Sequence, residues 1–300
     1  VANFELSEIP SLSRSTLDRA EDLRADEQAL KQGWTNAALL RVNRRGQVRI
    51  DGSTLVLDAA TDLAAEPAED AVFLGVDNGR HVWAVRTDDL EGTTGDLRAS
   101  GSDLDDTSAG MLTTAVALLN WHASANFSSI DGSPTRPTKA GWSRISESTG
   151  HEEFPRSDPA VICLVHDGAE RVLLARQHTW PETMFSILAG FVEAGESMEA
   201  CVAREIKEEV GLDVHDIRYL GSQPWPFPRS LMIGFAAVGD PEQTIEFTDG
   251  EIAEAHWFTR AEVREALAQG DWTSKSGVRL LLPGSISIAR GLVTAWAASD

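Results

Sequence analysis

Cysteine is scarce: 300 residues hold two, Cys163 and Cys201, and neither sits in a CxxC pair. That excludes a disulfide framework and a thiolate metal cage, and both residues read as small core hydrophobes. Positive charge is also short, with 26 Lys and Arg against 47 Asp and Glu for a net charge of -21. Such a chain repels polyanions, which excludes a general nucleic-acid binder, yet it suits a site that gathers carboxylates around cations. Long apolar runs are missing; the longest, residues 111–121, is interrupted by threonines and is too short to span a bilayer. Residues 1–10 carry no basic stretch ahead of an apolar one, so no secretory signal is read and a cytoplasmic protein without membrane partners is expected.

Hydrophobic residues make up 42% and charged ones 24%, the balance of a folded globular protein. The length favours two domains. Residues 1–106 contain short β-like runs, with hairpins expected around Asn78-Gly79 and around Gly46. Thr107 or Ser108 is the expected cap of a connecting helix to about Ala125, and residues 127–155, rich in Ser, Gly, Pro and Thr, read as a loop-dominated insert. From Pro159 the pattern sharpens. A third hairpin is expected at Asp167-Gly168, then a strand over 185–189 and a helix over 197–210 ending at Gly211. Strands over 217–223, 231–238 and 255–258 and helices over 261–269 and 286–298 complete an α+β reading. The expected division is 1–106 as a β-rich N-terminal domain, 107–155 as connecting helix and insert, and 156–300 as the catalytic domain.

The chemistry is written in Gly190, Glu196 and the run Arg204-Glu205-Ile206-Lys207-Glu208-Glu209-Val210-Gly211-Leu212. On a helix, Glu205, Glu208 and Glu209 stand at i, i+3 and i+4, so their carboxylates share one turn. Like charges this close destabilise one another unless a cation sits among them, and hard oxygen donors select Mg²⁺ or Mn²⁺. Arg204 can pair with Glu208 one turn on. Val202, Ile206 and Val210 form the apolar stripe that anchors the helix. Gly190 and Gly195 allow the tight loop that returns Glu196 to the helix. A solvated acidic face is the bland alternative, and the fixed glycine and arginine spacing argues against it.

This string resembles the Nudix box at every defined position. The resemblance implies an α/β/α sandwich with a mixed sheet and metal-assisted attack of water on a nucleoside diphosphate linked to another group. It assigns the metal to Glu205, Glu208 and Glu209, with the carbonyl of Ala189 and the carboxylate of Glu251 as further ligands. Glu209 is taken as the base, with Arg204 as the residue that orders the carboxylates; coupled acids leave the choice of base open.

Downstream, Ser222-Gln223-Pro224-Trp225-Pro226-Phe227-Pro228-Arg229-Ser230-Leu231-Met232 alternates prolines with aromatics, which stiffens an extended loop and offers flat surfaces to a ring. Alone this is a rigid surface loop. Beside the box it resembles the signature of the NADH pyrophosphatase branch of the Nudix superfamily, and that resemblance runs through more than half the chain. It implies hydrolysis of NAD(H) to nicotinamide mononucleotide and AMP, a homodimer, and NAD-capped RNA as a further substrate. Phe154, from a partner subunit, and Phe191 would sandwich the nicotinamide; Gln223, Trp225, Phe227, Ser230 and Met232 would line the nucleotide site, and Ser287 would close it. Where many relatives carry four zinc-binding cysteines this chain has Ser128, Asp131, Ser146 and Thr149, which cannot supply a thiolate set. No structural zinc is expected, the insert being held by hydrogen bonds and packing. The rivals are a hydrolase for ADP-ribose or another dinucleotide, and a non-catalytic ligand sensor; the intact box carboxylates count against the second.

Overall fold

The computed structural model describes residues 4–248, 250–272 and 279–299. They form two compact units, one of residues 14–157 with 225–229, the other from the remaining segments 4–13, 158–224 and 230–299.

In the second unit, the strand Asp158–His166 is the centre of a mixed sheet. Its side chains alternate between two cores, as the two-residue period of a strand requires. Val161, Cys163 and Val165 pack with Cys201, Val202, Ile206 and Val210 of the helix Met198–Val210. Ile162 and Leu164 face the other way, onto Val263 and Ala266 of Arg260–Gln269 and onto Leu292, Val293 and Trp296 of Ile288–Ala298. Helices thus cover both faces of the sheet, which is the expected α/β/α sandwich within an α+β chain.

The sheet order is Val214–Trp225, Ser230–Gly239, Asp158–His166, Arg171–Gln177, Ile252–Thr259. Asp158–His166 runs parallel to Ser230–Gly239, and Arg171–Gln177 runs antiparallel to Ile252–Thr259. The hairpin expected at Asp167-Gly168 forms only at its turn, where His166 faces Val172. The two strands then part, and Leu188–Phe191 enters beside the central strand, setting Gly190 opposite Val161.

The other unit is β-rich. Val72–Asp77 and Arg80–Arg86 make the expected hairpin, with positive φ at both Asn78 and Gly79 as its tight turn demands. The hairpin expected around Gly46 closes only at its turn, where the Asn43 amide donates to the Gln47 carbonyl at 2.9 Å. Ala38–Val42 lies parallel to Arg80–Arg86 in a four-stranded sheet, whereas Gln47–Asp51 pairs with Thr54–Leu55 and Thr94–Asp96 in another. Burial explains the parting: Ala38–Val42 is almost wholly buried, but of Gln47–Asp51 Val48 alone is, so the first joins the core sheet and the second a peripheral one. The connecting helix is Asp106–Ser124, and its cap is Asp105, whose carboxylate accepts from the Ser108 amide at 2.7 Å, rather than Thr107 or Ser108.

The insert, loop-rich as expected, also carries a small sheet. Thr135–Thr138, Ser143–Ser146 and Glu152–Glu153 form a three-stranded antiparallel sheet. At its end, three of the four residues Ser128, Asp131, Ser146 and Thr149 join one network. Asp131 accepts from the Ser133 amide at 2.8 Å, the Thr149 hydroxyl at 2.9 Å and the Ser146 hydroxyl at 3.1 Å. Ser128, the fourth, accepts from the Ile130 amide at 3.2 Å. Hydrogen bonds from Ser133 and Thr149 hold the Asp131 carboxyl well below the usual carboxylate range. A group so depressed adds stability that is full above its unfolded-state pKa and fades as pH falls through the folded one. Asp131→Asn is therefore expected to melt at a lower temperature than the parent at pH 7, with the gap closing as pH drops below about 4; thermal melts over that range check it.

Cys163 and Cys201 are buried free thiols, and burial pushes Cys201 up to about 12. Among the described residues no helix is long and apolar enough to cross a membrane.

Candidate active site

The helix Met198–Val210 begins where the Ser197 hydroxyl accepts from the Ala200 amide at 3.2 Å, and stops where Gly211 turns left-handed with φ of 75°. Between these ends one face is apolar and buried, and the acidic turn rises beside it. Glu209 lies on the inner edge at 2% exposure. Glu205 is largely covered and Glu208 is half exposed.

Arg204 organises these acids. Its guanidinium grips Glu196 through two bonds of 2.8 Å and reaches Glu205 and Glu208 at 2.9 Å each. It also donates to the Phe191 carbonyl at 3.0 Å, tying the helix to the strand Leu188–Phe191. The Glu208 pair is the one the i, i+4 spacing predicts. The two-pronged bond to Glu196 is the stronger contact by geometry. It brings the Glu196 carboxyl down to about 2, so this acid is ionised at neutral pH. Gly195, with φ of 86°, makes the turn that delivers it.

Glu205 responds differently. Burial pushes its carboxyl up against the pull of Arg204, with Glu208 and Glu196 adding to the rise. The carboxylate rests on the backbone of Gly190: a Cβ there would stand 2.2 Å from both of its oxygens. Glycine at 190 is thus the seat of Glu205 beside the peptide of Ala189. Among the described residues no three His, Cys, Asp or Glu side chains converge into a closed cation cage, and the guanidinium of Arg204 is what gathers the acids. The donor set nevertheless fits Mg²⁺ or Mn²⁺, being hard oxygens with one carboxylate seated in a glycine cradle and raised by burial. Glu251 precedes the strand Ile252–Thr259 and accepts from Gln177 at 3.2 Å, a partner that sequence spacing did not reveal.

Phe191 and Phe154 are both exposed, at 57% and 60%, and the Lys139 ammonium stands 5.4 Å from the Phe154 ring. Trp225 and Phe227 meet edge to face at 5.0 Å. Ser230 opens the strand Ser230–Gly239, in which Met232 packs against the sandwich core. Ser287 caps the helix Ile288–Ala298, accepting from the Ala289 amide at 3.2 Å. Gln223, expected to contact the nucleotide, is held by the chain on both ends of its amide. It is fully buried, its carbonyl accepts from the Leu12 amide at 3.2 Å, and its amide donates to the Ile286 carbonyl at 3.0 Å. These two bonds tie the strand Val214–Trp225 to the segments around Leu12 and Ile286.

Residues 156–280 match the NUDIX domain, and residues 23–121 match the NADH pyrophosphatase-like rudimentary NUDIX domain. Over 99% of the chain and 98% of the relative, it is 60% identical to "NAD-capped RNA hydrolase NudC" of Mycobacterium tuberculosis strain H37Rv. The chain belongs to the Nudix family. The same identity and coverage hold for the Mycobacterium bovis protein of that name. The human "NAD(P)H pyrophosphatase NUDT13, mitochondrial" is 36% identical over 77% of this chain and 72% of its own length. The matching range 156–280 includes the whole helix Met198–Val210 and the Gly190 seat of Glu205 in this Nudix hydrolase.

Proposed function

We propose that this Nudix hydrolase cuts the pyrophosphate of NAD(H), releasing nicotinamide mononucleotide and AMP, and removes NAD caps from RNA by the same cut. The observation that carries the reading is the seating of Glu205 on Gly190 under Arg204, in a chain 60% identical to an NAD-capped RNA hydrolase. Glu205, Glu208 and Glu209, with the Ala189 carbonyl and Glu251, would hold Mg²⁺ or Mn²⁺. When bound, such ions supply neutralisation of the pyrophosphate charge and a more acidic water.

The chain's own groups do the rest. Arg204 fixes Glu205 and Glu208 in one turn and keeps Glu196 ionised, so the acidic face is preformed. Glu209 takes the proton from the attacking water at its carboxylate. Phe191 offers an open ring face to the nicotinamide, with Phe154 supplied by the second copy of a homodimer. Trp225, Phe227, Ser230 and Met232 are the further side chains assigned to the nucleotide, and Ser287 is assigned to closing the site. A flexible 5′ end suits this arrangement better than structured RNA, since a net charge of -21 repels a long polyanion.

With NADH and Mg²⁺ the purified protein is expected to yield reduced nicotinamide mononucleotide and AMP in equal amounts, and excess chelator is expected to stop the reaction. Chromatography of the products checks both. A strong preference for ADP-ribose over NADH would reverse the substrate assignment, and cleavage undiminished in chelator would end the metal reading.

A further inference from the structure

Arg98 stands on the short helix Leu97–Ser100, in the same compact unit as residues 225–229. Its backbone is fixed on two sides. Asp96 accepts from the Arg98 and Ala99 amides at 2.9 Å each, and Leu97 is buried beneath. Beyond this anchor the guanidinium lies 4.1 Å from the ring centre of Phe227 and 5.5 Å from that of Trp225. Both distances fall within the range in which a cation is held by an aromatic face. Among the described residues this guanidinium forms no ion pair, so the aromatic contacts, not a carboxylate, account for where it points. Pro226, between the two rings in sequence, is buried, which leaves the rings little freedom apart from rotation against each other.

We propose that Arg98 is a positioning residue for substrate specificity: by bridging Trp225 and Phe227 it holds them at the angle from which they grip the dinucleotide. This rests on the reading that these rings bind substrate. A ring pair already fixed before binding loses less entropy when the ligand arrives, so the effect belongs in KM rather than kcat.

The test is steady-state hydrolysis of NADH with Mg²⁺ by the full-length variants Arg98→Leu, Arg98→Lys and Phe227→Ala, with thermal melts alongside. Leucine keeps aliphatic packing without the cation; lysine keeps the cation. Arg98→Leu is expected to raise KM by about threefold to tenfold with kcat within about twofold of the parent, and Arg98→Lys to recover most of that loss. Phe227→Ala is expected to raise KM at least as much. If Phe227→Ala raises KM and Arg98→Leu does not, the role of Arg98 is refuted while the substrate loop stands. Unchanged KM in Phe227→Ala removes the loop reading, and the role of Arg98 with it. Equal impairment in the leucine and lysine variants, or a fall in kcat and melting temperature together, overturns the proposal, because either outcome marks a merely structural side chain.

Discussion

Glu209→Gln is expected to lower kcat by about a hundredfold to ten-thousandfold while the melting temperature stays near that of the parent. The substitution keeps the side-chain volume, which matters because Glu209 is 2% exposed among the apolar residues that anchor the helix. It removes the charge and the proton-accepting oxygen. Glu205→Gln is a useful contrast, since Glu205 carries the bond from Arg204 as well as its place on Gly190. If both are inactive but Glu209→Gln regains rate as pH rises, hydroxide is replacing a lost base, and the base is Glu209. If Glu209→Gln turns over normally at saturating Mg²⁺, Glu209 is not the base and the proton goes elsewhere.

The acidic turn was legible in the sequence because a helix converts spacing into direction: i, i+3 and i+4 fix Glu205, Glu208 and Glu209 without reference to the remainder of the chain. The α+β character was legible from apolar helix stripes and from continuous apolar runs such as residues 160–165, whereas the two-faced sandwich came from the resemblance. Partner choice was not legible. Nothing local in Ala38–Val42 announces that its ladder will be with Arg80–Arg86, in parallel, and not with Gln47–Asp51 beyond the turn. The small sheet inside the insert was not legible, because Asp131, Ser146 and Thr149 have the composition of a loop, and the same groups that favour loops also bond to one another beside it. The two bonds that Gln223 makes to Leu12 and Ile286 were not legible either, because both partners lie far from it in the chain.

Gly190→Ala separates the site from the fold more sharply than any carboxylate change. The glycine lies in the strand Leu188–Phe191, paired with Val161 and outside the left-handed region, so alanine suits the backbone and is expected to leave global stability unchanged or slightly higher. The added Cβ, however, would stand 1.9 Å from the carboxyl carbon of Glu205. The clash is with the end of a flexible side chain, so Glu205 swings aside and the strand stays. Displacing one catalytic oxygen donor by an ångström or more costs on the order of a hundredfold in rate. Gly190→Ala is therefore expected to melt like the parent, to hydrolyse NADH about a hundredfold more slowly, and to need more Mg²⁺ for half-maximal rate. Calorimetry and a Mg²⁺ titration of the rate check the three together. An active variant with an unchanged Mg²⁺ requirement would show that Glu205 does its work from somewhere other than the Gly190 seat.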